Sequence, residues 1–336
     1  MKRLFVILFP LFFVACNLID DNLSVCGEEL VIDYQLQLRT ELSTQLQTEL
    51  SEETDSVVRE ALRGWLSPVF TDKAKDIDLH FFNKETDELR HRILDVINAS
   101  QTSYSLKLPK ENYTHLALAN IADNNQMSLV DHDHSATMCL SLPTSSALKS
   151  MNTGVFSARL DMTVDDSSKQ FNVYLYMVNA AVALVIDTTA CDSLVSLSGT
   201  LNNIACGFSM RDSAYRFDRA CAFELENVPI SRAAGAPAAQ GRAKAADEPA
   251  TTACLATVGM PSRDDEPWTL TVKATLIGNR YTTSKLTMNE SLGAGELRII
   301  RIRMNEDGSL MPVQHTEASV SITLDWQDGG SHEINL

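Results

Sequence analysis

Apolar and polar residues alternate over three stretches near the C-terminal end of this chain: Trp268 to Ala274, Glu296 to Arg303, where Ile299-Ile300 is the one break, and Ala318 to Trp326. A period of two turns successive side chains to opposite faces of an extended backbone, so each stretch has one apolar face and one polar face. The same order wound into a helix would scatter apolar groups around the cylinder. Gly, Asn and Asp separate the stretches, as turn residues separate antiparallel strands. Such strands bury their apolar faces only by packing one sheet on another or by closing a sheet on itself.

The pattern extends upstream. Ile32, Tyr34, Leu36 and Leu38 alternate with Val31, Asp33, Gln35 and Gln37. Ile77, Leu79 and Phe81 alternate, as do Tyr104, Leu106 and Leu108, and Leu116 to Ile121 reads as another strand. Between them the period changes. Val57, Val58, Ala61, Leu62, Trp65 and Leu66 form one stripe of an amphipathic helix, with Thr54 as its expected N-cap and Pro68 as its stop. Phe171 to Val178 and Ala183 to Asp187 are apolar enough to predict central strands buried on both faces. The expected fold is mainly β: two β-sandwich domains, with a short helix inserted in the first. A length of 336 residues suits two domains. The polar stretch ending in Asn152-Thr153-Gly154 divides an N-terminal sandwich, 26–152, from a C-terminal one, 153–336. The Ala- and Pro-rich segment 231–252 within the second reads as a mobile loop.

The first residues address export. Lys2 and Arg3 precede an apolar run from Leu4 to Val14, too short for the roughly 20 residues that span a bilayer. Ala15 then supplies a small residue before Cys16, the arrangement of a lipoprotein signal peptide. Residues 1–15 would be removed, Cys16 would be acylated, and 16–25 would tether lipid to fold. The formal net charge of −16 argues against nucleic acid and anionic lipid as partners. The other cysteines, Cys26, Cys139, Cys191, Cys206, Cys221 and Cys254, are even in number and allow many pairings that sequence alone does not fix; the expected local bridge is Cys206 with Cys221.

Motifs that carry chemistry are sparse. Asp131-His132-Asp133-His134 would place two imidazoles on one strand face, but no third ligand follows at a metal-site spacing, and a solvated loop is the expected reading. No metal or cofactor is expected. The chain holds no GxSxG, Walker loop, GxGxxG or HExxH, so no catalytic residues are assigned and an enzyme is not expected. Trp65, Trp268 and Trp326 could stack on sugars, yet their positions on a helix stripe and at strand ends suit core packing better.

Several segments resemble one family. They are Cys16 with Asp20-Asp21, Cys26 to Tyr34, Ala61 to Leu66, Asp76 to Phe82, His115 to Ile121, and Val173 to Ala180. Together they resemble the FimB-like fimbrial anchor lipoproteins of Bacteroidetes. The resemblance implies two transthyretin-like β-sandwiches, lipid-anchored in the outer membrane and facing outward. It also implies a role in holding a fimbria to the cell and influencing its assembly or length. The implied partners are fimbrillin or minor fimbrial subunits, met through β-strand contacts. The interface expected on this chain is the terminal strand, with Ser319, Ser321, Ile322, Leu324 and Trp326. The alternative is a surface lipoprotein that binds a glycan or host ligand without a filament.

Overall fold

The computed structural model describes residues 29–39, 55–70, 74–94, 103–167, 169–230, 252–313, 320–326 and 330–334. The segments 1–28 and 231–251, and with them Cys16 and the expected loop, lie outside the described residues. The first sheet is built from β1 (Glu29–Arg39), β2 (Ile77–Asn83), β3 (Leu89–Ile93), β4 (Ser103–Pro109), β5 (Asn112–Ala119), β8 (Phe156–Thr163) and β9 (Gln170–Met177). Its order is β3-β2-β5-β8-β9-β1-β4. All neighbours are antiparallel except β1 and β9, which run parallel from Asp33 opposite Gln170 to Arg39 opposite Tyr176.

Alternation becomes burial here. Ile32 and Tyr34 are buried while Val31, Asp33 and Gln35 are exposed. Tyr34 then hydrogen-bonds His115 at 2.6 Å. Those residues stand on β1 and β5, three strands apart, which is roughly 14 Å in a flat sheet. The sheet is therefore rolled, and its concave face encloses the core. Helix α1 (Ser56–Leu66) adds Val58, Leu62 and Leu66 to that core. Its N-cap is Asp55, one residue later than expected: the carboxylate accepts from Val57 N at 2.8 Å.

The second sheet has ten strands: β10 (Ala180–Asp187), β11 (Leu194–Asn202), β14 (Ala222–Asn227), β15 (Thr252–Gly259), β16 (Trp268–Leu276), β17 (Arg280–Met288), β18 (Leu297–Met304), β19 (Leu310–Pro312), β20 (Val320–Trp326) and β21 (Gly330–Ile334). The order is β19-β18-β10-β15-β14-β11-β16-β17-β20-β21. Leu310 N in β19 donates to Ser284 Oγ in β17 at 3.2 Å, and Thr282 Oγ1 donates to Asp307 O at 2.7 Å. Strands far apart in the order thus touch, so this sheet also curls back on itself. As expected, β10 is central and buried along nearly its whole length. β9 is not: its residues alternate buried and exposed because its outer face is uncovered.

The boundary expected at residue 152 does not match the strand pairing. β8 and β9, at 156–177, complete the first sheet by linking β5 to β1. The polar stretch before them is woven into the other half. β6 (Ser128–Val130) and β7 (Cys139–Ser141) join β12 (Gly207–Ser209) and β13 (Ala214–Arg216) in a four-stranded sheet of order β13-β12-β7-β6. Leu148 N donates to Ala222 O, and Met151 N donates to Val258 O, both at 2.9 Å. Gly154, read as a turn residue, lies against the Val69 carbonyl so closely that a Cβ would stand 2.3 Å from that oxygen.

Candidate functional site

The residues that sequence reading offers for chemistry are mostly structural. His115 is fully buried; its Nδ1 lies 3.0 Å from the His80 carbonyl. A carbonyl only accepts, so Nδ1 carries the proton and Nε2 accepts from the Tyr34 hydroxyl. Burial pushes Tyr34 well above the usual phenol range and lowers His115 to about 4. The chain of groups is complete and closed to solvent. Residues 131–137 form a turn-rich loop with an isolated bridge at His134, not the strand that would align two imidazoles. Among the described residues, no group of three His, Cys, Asp or Glu side chains is placed to hold a metal ion.

That loop is instead a clasp. The Asp87 carboxylate, on a residue at φ 64°, accepts from Ser135 Oγ, from Ala136 N at 2.9 Å and from Arg211 Nη1 at 2.9 Å. One side chain thereby ties the β2–β3 hairpin to residues from both halves of the sequence. The expected Cys206–Cys221 bridge is absent: both are buried free thiols, and Cys206 Sγ donates to Asp218 Oδ1 at 2.6 Å. Burial, then that carboxylate, pushes the Cys206 thiol up. Trp268 is buried and donates to Glu290 O at 2.7 Å, and Trp65 packs half-buried on the core.

What remains is sheet edge and loop. In the expected interface strand, Ser319 lies outside the described residues. Ser321 stands opposite Thr287 and Ile322 opposite Leu286, in register with β17. Leu324 stands opposite Ser284, and Trp326 opposite Thr282. β20 is not itself the edge, because β21 pairs along its other side, Ile322 with Ile334 and Trp326 with Gly330. Among the described residues, the last pairing row belongs to β21, five residues long. Such an edge can accept an added strand through main-chain hydrogen bonds.

Sequence reading passed over one feature at the Asp187 end of the second sheet. Val195 and Ile277 are 64% and 63% exposed, the most exposed of the large apolar residues described. A β-bulge between Leu194 and Ser196 makes Val195 an extra residue opposite β16. The only signal was an isoleucine directly before the Gly278-Asn279 turn, where a polar residue is usual.

Comparison with known proteins adds the family. The model of the family described as "Fimbrillin-A associated anchor proteins Mfa1 and Mfa2" matches residues 67–328. The chain belongs to this family. Its relatives are fimbria-associated proteins of the cell surface, in agreement with the expected resemblance. No curated protein sequence matches. Among solved structures, the fold is similar to that of a candidate polysaccharide-binding protein from Bacteroides thetaiotaomicron, with a TM-score of 0.54 at 11% identity over 91% of this chain and 98% of that one. A candidate adhesin from the same species gives a TM-score of 0.53 at 11% identity, over 90% and 97%. The fimbrial anchor protein Mfa2 from Porphyromonas gingivalis overlaps more loosely, with a TM-score of 0.46 at 11% identity over 90% and 99%.

Proposed function

We propose that this protein is an outer-membrane lipoprotein that holds a fimbria to the cell surface and influences its assembly or length. The family match over residues 67–328 carries this reading. In it, Cys16 bears the lipid and the body faces outward. Fimbrillin or a minor fimbrial subunit binds by β-strand contacts at the β20–β21 end of the second sheet, whose terminal row can be extended by a further strand. Main-chain hydrogen bonds would supply the pairing and alternate side chains its register.

Two measurements test the reading. Cys16→Ser should move the protein from the membrane fraction to the soluble one and abolish acyl labelling; a variant still membrane-bound and labelled sinks the lipid anchor. Ile322→Asp should lower the amount of cell-bound fimbriae at least tenfold with the lipoprotein still at the surface. Unchanged attachment with an intact fold counts against the terminal strands.

A second reading, a surface protein that binds a glycan without holding a filament, is supported by two observations. One is the name of the first Bacteroides thetaiotaomicron structure. The other is Tyr176, 54% exposed on the uncovered face of β9, in line with the exposed Asn172 and Gln170. Binding of the purified protein to a glycan array, lost in Tyr176→Ala, would favour it.

A further inference from the structure

We propose that Val195 and Ile277 are the apolar centre of the surface that grips the fimbrial subunit, fitting a socket bordered by basic residues on that subunit. The proposal rests on the anchor reading above and adds to it a second contact, distinct from strand pairing.

The pair is presented by backbone, not by chance exposure. Leu194 stands opposite Leu276, and Ile277 N donates to Ser193 O at 2.8 Å. Val195, at the start of β11, and Ile277, the first residue of the turn after β16, therefore come close together at this end of the sheet, both exposed where Leu276 is buried. The bulge fixes the first. Positive φ at Gly278, 82°, and Asn279, 60°, shapes the tight turn that holds the second. The neighbouring loops brace both: Cys191 Sγ donates to Glu306 O at 3.7 Å, and Gly308 lies against the Leu276 side chain. Two large apolar side chains held in water on a braced hairpin bring nothing to folding; burying them in a partner favours binding.

The rim decides the kind of partner. Asp192 and Glu306 are exposed, Asp307 is half-buried, and Asp187 is paired with Arg303 at 3.3 Å. With Arg280 as the remaining cation of these loops, the rim is acidic on a chain of net charge −16. An acidic rim repels an anionic lipid surface. A symmetric contact with a second copy would oppose like rims. A protein with an apolar socket and a basic border is the complement.

The test uses fimbriated cells of the native host carrying the V195D/I277D variant, with V195I/I277L as the conservative control. The proposal expects wild-type surface level and melting temperature for V195D/I277D. It also expects at least a tenfold fall in cell-bound fimbriae, recovered in the medium, and no change for V195I/I277L. Wild-type attachment in V195D/I277D overturns the proposal and leaves the anchor reading standing. Attachment that persists in cells lacking this protein altogether overturns the anchor reading itself. A probe that does not depend on tolerance of the charges is V195C labelled by a membrane-impermeant maleimide. Its labelling rate should fall at least tenfold when fimbriae are present; equal rates overturn the proposal. So do labelling that begins only after deletion of 233–250, which would show the chain's own segment on the pair, and dimerisation or liposome binding lost in V195D/I277D.

Discussion

His80 is fully buried with neither ring nitrogen hydrogen-bonded. Burial, then the nearby Arg92, lowers its pKa from 6.5 to about 3. His115 falls to about 4 by burial, against the raising effect of its hydrogen bond to the His80 carbonyl. Both folded values lie below the unfolded one, so between about pH 6.5 and 3 the unfolded chain binds more protons. Stability is therefore full above pH 6.5 and is lost as pH falls, by about 1.4 kcal/mol per pH unit for each histidine. Urea midpoints measured at pH 7 and pH 5 should differ by an amount equivalent to about 3–4 kcal/mol. In His80→Leu, which removes the unpaired imidazole, the slope should be about half as steep; an unchanged slope would remove His80 from the account. Sequence reading took Leu116 to Ile121 as a strand and gave His115 no place in the core. It could not show that Tyr34 would reach it, because that contact needs the sheet to roll.

At the level of strands and helix, local signals were legible where one rule acted alone. The stripe of α1 was read correctly because a 3.6-residue period survives any packing, and its N-cap was missed by one residue because Thr54 and Asp55 are both capping types. β10 was read as buried on both faces and is. β9 shares its apolar composition but exposes Asn172 and Tyr176, since the sheet's outer face is covered on the β2–β5 side and open on the β9–β1–β4 side. Asn152-Thr153-Gly154 has turn composition and does turn, yet Gly154 is there for a close approach to Val69. Gly154→Ala should destabilise by about 1–3 kcal/mol in chemical denaturation. An unaltered midpoint would mean that the backbone can move away from the new methyl group.

For the molecule as a whole, the chain is interlaced more than its composition suggests. The first sheet needs β8 and β9 to join β5 to β1, and the four-stranded sheet pairs 139–141 with 207–209. A fragment of residues 26–152 should thus show no cooperative thermal unfolding by circular dichroism. A sharp transition would establish that the N-terminal strands close without β8 and β9. Fold class and the two-sheet build were open to sequence reading because period-2 alternation is a local consequence of burying one face of a strand, and the terminal strands display it plainly. The family was open to it through the resembling segments, of which Asp76 to Phe82, His115 to Ile121 and Val173 to Ala180 lie within the matched residues 67–328. Which strands are neighbours was not, since pairing partners 60 or more residues apart, such as β1 and β9, leave no mark in local periodicity. For the same reason only the tertiary structure showed that Asp87 clasps Arg211, that β21 covers β20, and that a bulge lifts Val195 beside Ile277. Each depends on where distant segments meet, and that is settled by closing the sheets around their cores.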